Sequence, residues 1–171
     1  MDAPSPADED LAVFDRIIDL LTGQKLAYEL YEHEFVHHSE DAAKIRDTKL
    51  EEAAKALVLC AQNGGEKIFF MCVVSGHRRL DLKRIKEIVG SKNVSLAHPD
   101  DVLRITGLRI GTVPPFPSLL ELDGYCDAGV LENSHVVFSA GSHYKSIRMP
   151  AQAWAQLAGV TVEKIAKDEN A

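Results

Sequence analysis

Three cysteines and a run of histidines are the first places to look for chemistry. A cysteine nucleophile needs a thiolate beside a histidine in a polar setting. Cys60 and Cys72 instead lie in the apolar runs "AKALVLCAQ" and "KIFFMCVVSG", where a thiol stays neutral. With Cys126 they make an odd number without C-x-x-C spacing, as expected of reduced structural thiols. "YEHEFVHHSED" offers His33, His37 and His38. Histidines four apart can hold a metal from one helix face, yet the alternation before Phe35-Val36 predicts strand and loop there, with no fourth ligand in register. A surface cluster with one buried imidazole is expected, with no metal and no cofactor. No G-x-x-x-x-G-K-[ST] or G-x-G-x-x-G run is present, and Gly64-Gly65 reads as a hairpin turn rather than a phosphate cradle. Three features remain: Lys55, read as a lysine at a helix-to-strand junction; the loop Gly111 to Pro115 inside "TGLRIGTVPPFP", 106–117; and "SAGSHYKS", 139–146.

Composition limits what these features can belong to. A chain of 171 residues with 46% apolar content can bury one substantial core but hardly two, so one domain is expected. The acidic start "MDAPSPADEDLAVF" lacks the basic and apolar regions of an export signal, and no apolar run is long enough to span a membrane. The expected compartment is the cytoplasm. A net charge of −7 argues against wrapping long nucleic acid. "GHRRLDLKRIKE", 76–87, concentrates Arg78, Arg79, Lys83, Arg84 and Lys86; it is either a solvated helix face or a dock for one end of a polyanion.

Several elements must position the three features. Ser5-Pro6 and the spacing of Leu11, Phe14, Ile17, Ile18 and Leu21 predict an N-terminal helix within 1–24, stopped by Gly23. "KLAYELYEHE", 25–34, alternates Leu26, Tyr28 and Leu30 as a strand that turns Tyr31 the other way. Ser39 caps a short helix "EDAAKIRD", and Thr48 with Glu51 opens a second, "KLEEAAKAL", which hands Lys55 to the next strand. "AKALVLCAQ" and "KIFFMCVVSG" form a hairpin about Asn63-Gly64-Gly65. A helix "RLDLKRIKEIVG", a strand "VSLA" and a helix "HPDDVLRITG" follow. Strands "SLLELDG", "GVLEN", "HVVFSAG" and "KSIRM" and a helix "PAQAWAQLAG" complete the pattern. Helices inserted between hairpins predict an α+β fold, with a mixed sheet or barrel surrounded by helices, rather than a doubly wound one.

The stretches "EEAAKALVLC", "SLAHPDDVLRITGLRIGTVPPF" and "FSAGSHYKSIRMPAQAW" resemble the YbaK/ProX-type aminoacyl-tRNA deacylases, also called prolyl-tRNA synthetase associated or INS-like editing domains. The resemblance runs from about Tyr28 to Leu157. It rests on a lysine in K-x-L at Lys55, a G-x-x-x-P loop at Gly111 and Pro115, and a late turn at Gly141, Ser142 and His143. It implies an editing domain over 25–171 behind the 1–24 helix, and a pocket for the 3′-terminal adenosine of tRNA with its esterified amino acid. An aminoacyl ester is already activated, so placing a water and stabilising an oxyanion matter more than a protein nucleophile, and the resemblance implies that the substrate's own 2′-hydroxyl assists. On this reading Gly111 admits backbone to the ester while Pro114, Pro115 and Pro117 keep the loop's donors aimed. Lys55 meets the terminal phosphate or ester oxygens. His143 holds a hydroxyl or amine, and Tyr28, Tyr31, Thr112, Val113, Phe116, Gly141 and Ser142 line the pocket.

The chain also departs from the family pattern. Pro114 stands where many members carry serine, Pro117 where many carry glycine, and Ala56 where some carry asparagine. "GTVPPF" is most like members that clear alanine from proline tRNA. The function implied is a free-standing editing hydrolase acting on the tRNA acceptor end, with an aminoacyl-tRNA synthetase as a further partner. The alternatives are a non-catalytic tRNA- or synthetase-binding adaptor of the same fold, and a metal hydrolase using His33 and His37.

Overall fold

The hairpin at the centre of the fold follows from two glycines. In the computed structural model, which describes residues 5–35, 42–44 and 48–169, Gly64 and Gly65 have φ of +59° and +90°. A two-residue turn with both φ positive matches the right-handed twist of the strands it joins, and glycine adopts it without a steric penalty. It joins β2 (Ala54–Asn63) to β3 (Glu66–Ser75) in register from Ala54↔Ser75 to Asn63↔Glu66. β4 (Val94–Leu96) adds antiparallel to β2, and β5 (Asp123–Asp127) adds parallel to β3. β8 (Val160–Glu163) closes the order β4-β2-β3-β5-β8. A second, antiparallel sheet runs β1-β7-β6, from β1 (Glu29–Glu32), β6 (His135–Ser139) and β7 (Lys145–Pro150). The expected mixed α+β architecture is therefore present.

Alternation along β2 and β3 divides the interior in two. Ala54, Val58, Met71 and Val73 face the main core with Phe116, Phe138 and Trp154. Leu59, Ala61, Phe70, Cys72 and Val74 face a smaller core with Ile85 and Ile165. α1 (Ala12–Gly23) adds Ile17 and Leu21 to the main core, and α4 (Ala151–Ala158) adds Trp154. α2 (Leu82–Val89) covers the smaller core through Ile85. Its Asp81 side chain accepts from the Arg84 N–H at one end, and Gly90 closes the other at φ +69°. α3 (Pro99–Thr106) ends at Gly107, also left-handed. Buried Asp127 ties β5 to the C-terminal segment: one carboxylate oxygen accepts the N–H groups of Ile165 and Ala166, both at 2.9 Å. Among the described residues, no helix is long and apolar enough to cross a membrane.

Five local expectations need correction. "KLEEAAKAL" is not a helix: a 3-10 turn, Leu50–Glu52, leads directly into β2, because pairing with β3 claims the backbone from Ala54 onward. Lys55 is thus the second residue of a strand. "GVLEN" forms a 3-10 turn, Ala128–Glu132, and "SLLELDG" is a 3-10 turn, Pro117–Leu119, before β5 starts at Asp123. Pro6 opens a separate 3-10 turn, Pro6–Asp8, so α1 begins only at Ala12. The first strand is short. Leu26 and Tyr28 pack on the main core from outside it, and Leu30 is 43% exposed. β8, Val-Thr-Val-Glu at 160–163, is a strand beyond those expected from the sequence. Of "EDAAKIRD", residues 42–44 are helical; Ser39 and the rest lie outside the described residues.

Candidate active site where two loops meet

α3 delivers the chain into the proline-rich loop, and each of its turns is fixed by a specific contact. Thr106 Oγ1 donates to the Val102 carbonyl at 2.7 Å and accepts from the Leu108 N–H at 3.0 Å. Gly111 stands at φ +93°, a region costly for residues with a Cβ. Thr112 donates to the Arg109 carbonyl through both its N–H, 3.1 Å, and its hydroxyl, 2.7 Å. Beyond it the loop is driven into the core: Phe116 is fully buried against Phe138, ring centroids 5.3 Å apart. The Pro115 carbonyl accepts from Trp154 Nε1 at 2.9 Å. Prolines remove donors and fix φ, so anchoring this segment costs little further ordering entropy.

The second loop is the hairpin connection between β6 and β7. Ala140 N–H donates to the Lys145 carbonyl, leaving Gly141 to Tyr144 as the turn, with Gly141 at φ +76°. The two loops touch directly, because the Gly141 N–H donates to the Thr112 carbonyl at 3.0 Å. Ser142 and His143 are buried, and their donors have a third partner. Ser142 Oγ and the His143 N–H both donate to the Glu9 carboxylate, the latter at 2.8 Å, while the Tyr144 N–H donates to Ser142 Oγ at 2.9 Å. The His143 ring stacks at 4.3 Å on Phe35. Around this junction lies a cavity of about 210 Å³, walled by Thr112, Gly141, His143, Arg109 and Glu9 among others.

The residues singled out from sequence divide accordingly. Gly111, Thr112, Gly141, Ser142 and His143 come together at the junction. Pro115, Val113 and Phe116 anchor it from the core side, with Val113 and Phe116 inside the main core. Tyr28 packs against that core, and Tyr31 donates its hydroxyl to Glu29 on β1, so neither belongs to the cavity wall. Side chains alternate along a strand, which puts Lys55 on the face of Leu57 and Leu59, opposite the face turned to Phe116. There its ammonium donates to the Arg78 carbonyl at 3.1 Å. Of the basic stretch, Arg78 pairs with Glu169 and Arg84 with Glu87. Sequence reasoning missed Glu9, which carries no motif and is placed by an N-terminal segment read only for its helix.

The match that decides the family covers residues 33–167, against the aminoacyl-tRNA editing domain. The chain belongs to that family. This editing domain is 28% identical over 144 residues to the multifunctional Ser/Thr-tRNA deacylase ProXp-y of Escherichia coli K12, covering 84% of the chain and 86% of the relative. It is also 28% identical over 107 residues to the prolyl-tRNA editing protein ProX of Acetoanaerobium sticklandii, covering 63% and 64%. Among solved structures, a candidate trans-editing enzyme for prolyl-tRNA synthetase superposes with a TM-score of 0.76 at 24% identity, over 97% of this chain and 100% of that one.

Other chemistries find less support in the geometry. Burial pushes the Cys72 thiol up to about 12 and, with Asp127 adding a smaller push, Cys126 likewise. Both thiols stay protonated at neutral pH and are unsuited to nucleophilic attack. Among the described residues, no three His, Cys, Asp or Glu side chains converge as a metal site; His37 and His38 lie outside the described residues. His33 Nε2 instead meets Ser146 Oγ at 2.8 Å, with its Nδ1 at 2.7 Å from the Glu34 carbonyl. Ser146 is fully buried, so this pair fastens β7 to the end of β1 rather than presenting a nucleophile.

Proposed function

We propose that this editing domain, an aminoacyl-tRNA deacylase, hydrolyses the ester of a mischarged tRNA at the junction of the Gly111–Phe116 loop and the Gly141–Tyr144 turn. The observation that carries the reading is the Gly141 N–H to Thr112 carbonyl bond, which locks the two motif loops into one wall beside a cavity. An ester that is already activated needs a water held in line and donors aimed at the developing oxyanion, and such donors work best when they do not reorganise during reaction. A loop fixed by three prolines, a buried phenylalanine and a tryptophan hydrogen bond meets that requirement. His143, buried in the wall, holds a ribose hydroxyl or the substrate amine. Lys55 on β2 is the point charge assigned on this reading to the phosphate of the terminal nucleotide.

The enzyme supplies a second sieve where a synthetase pocket rejects a smaller amino acid too weakly. The "GTVPPF" loop favours alanine on proline tRNA as substrate, and the likeness to a deacylase named for serine and threonine makes those esters the next to test. The near end-to-end match to that relative supports action in trans. The test is release of labelled amino acid from alanyl-, seryl-, threonyl- and cysteinyl-tRNAs on proline and other acceptors, in chelator-containing buffer. Turnover of at least one ester well above the no-enzyme rate is expected. Binding without turnover would instead assign the adaptor role.

A further inference from the structure

We infer that Glu9 is a positioning residue of this site, holding the Gly141–His143 turn in working geometry from a segment outside the family-matched region. The inference rests on the proposed function. Three acidic residues, Asp8, Glu9 and Asp10, line the cavity mouth, but their engagements differ. Asp8 accepts from Ser5 Oγ at 2.6 Å and Asp10 from the Ala12 N–H at 2.9 Å, both within the N-terminal segment itself. Glu9 reaches across more than 130 residues of sequence, and each of its oxygens takes one donor of the turn: Ser142 Oγ and the His143 N–H. Hydrogen bonds to an ionised carboxylate are about twice as strong as neutral ones, and two of them from adjacent residues fix orientation as well as position.

The same segment grips the turn a second way. Gly141 lies so close to the first turn of α1 that a Cβ there would stand 3.3 Å from the Phe14 nitrogen and 3.4 Å from Val13 Cβ. Lys145, just past the turn, holds its ammonium 5.4 Å from the Phe14 ring centroid and 2.9 Å from Glu32. The family match begins at residue 33, whereas Glu9, Val13, Phe14 and Glu32 all precede it. The turn's own hairpin closes at the Ala140–Lys145 bond, and without Glu9 the hydroxyl of Ser142 and the N–H of His143 lose an acceptor. Loss of these two bonds loosens the turn that carries the Gly141–Thr112 contact.

The experiment compares wild type, Glu9→Ala and Glu9→Gln in deacylation of whichever mischarged tRNA the wild type cleaves, with thermal melting and hydrogen exchange of the His143 amide. Glu9→Ala is expected to lower kcat about tenfold, short of the ~100-fold attached to a 1 Å displacement, with KM changed less than twofold and the His143 amide deprotected. Glu9→Gln restores most of kcat, since its amide oxygen accepts from His143 and its NH₂ donates to Ser142 Oγ. If Glu9→Ala does not fold, Glu9→Gln with an unprotected His143 amide and wild-type kcat overturns the inference. So does a folded Glu9→Ala with wild-type kcat, and so does faster turnover, which would make Glu9 a plug that substrate displaces. A wild type that cleaves no ester defeats the proposed function itself, a result separate from all of these.

Discussion

Gly111→Val leaves the chain folded and lowers kcat/KM for deacylation about a hundredfold, the loss attached to a displacement of about 1 Å in a positioned site. Gly111 sits at φ +93°, where a β-branched side chain is a genuine outlier. The residues on either side cannot absorb the strain freely. Thr112 is fixed twice to the Arg109 carbonyl, and prolines occupy 114, 115 and 117. Relief therefore comes by displacing the Gly111–Thr112 backbone as a unit, which carries the Thr112 carbonyl away from the Gly141 N–H. Gly111 itself is only half-buried, so the main core remains intact. Initial rates on the cleaved tRNA, alongside circular dichroism and melting, check this. A folded variant with wild-type rates would remove the loop from the chemistry.

The second large effect is on stability. Trp154 is completely buried in the main core, and its indole nitrogen donates to the Pro115 carbonyl at 2.9 Å. Trp154→Ala removes a large side chain from a close-packed interior and is expected to cost about 3–5 kcal/mol. Trp154→Phe keeps most of the apolar contact but leaves the Pro115 carbonyl without its donor, a loss of about 1–3 kcal/mol. Urea denaturation of the three proteins measures both. Equal midpoints for Trp154→Phe and wild type would show that the carbonyl finds another donor and that the tryptophan does not fasten the loop.

Much of the fold was legible because local chemistry and global packing agree at those places. Asn63-Gly64-Gly65 dictates the central hairpin, Gly90 ends α2, and Gly107 ends α3. Legibility failed where tertiary pairing overrides local preference. Thr48 and Glu51 read as a capping box, and the alanines that follow favour a helix, yet residues 54–63 find a complete partner in β3. Two further runs rich in leucine and valine, 118–122 and 129–133, became 3-10 turns around strands that other residues occupy. In the site, the motif glycines were visible because their backbone needs are encoded locally. The union of the two loops was not, since it depends on a single backbone bond between Gly141 and Thr112. Glu9 was invisible for the same reason: its partners lie at the far end of the chain. Lys55 was found as a residue but misplaced as a helix terminus, and its pairing with Arg78 follows only from the strand register.

The most direct test of the central claim is where a substrate mimic binds. An adenosine carrying the amino acid through a 3′-amide, which cannot be hydrolysed, should be titrated into ¹⁵N-labelled protein while backbone amide shifts are followed. The account predicts that the largest shifts fall on Gly111, Thr112 and Val113 together with Gly141, Ser142 and His143. Shifts confined to residues 76–87, with both loops unmoved, would contradict it and place acceptor-end binding on the basic helix instead.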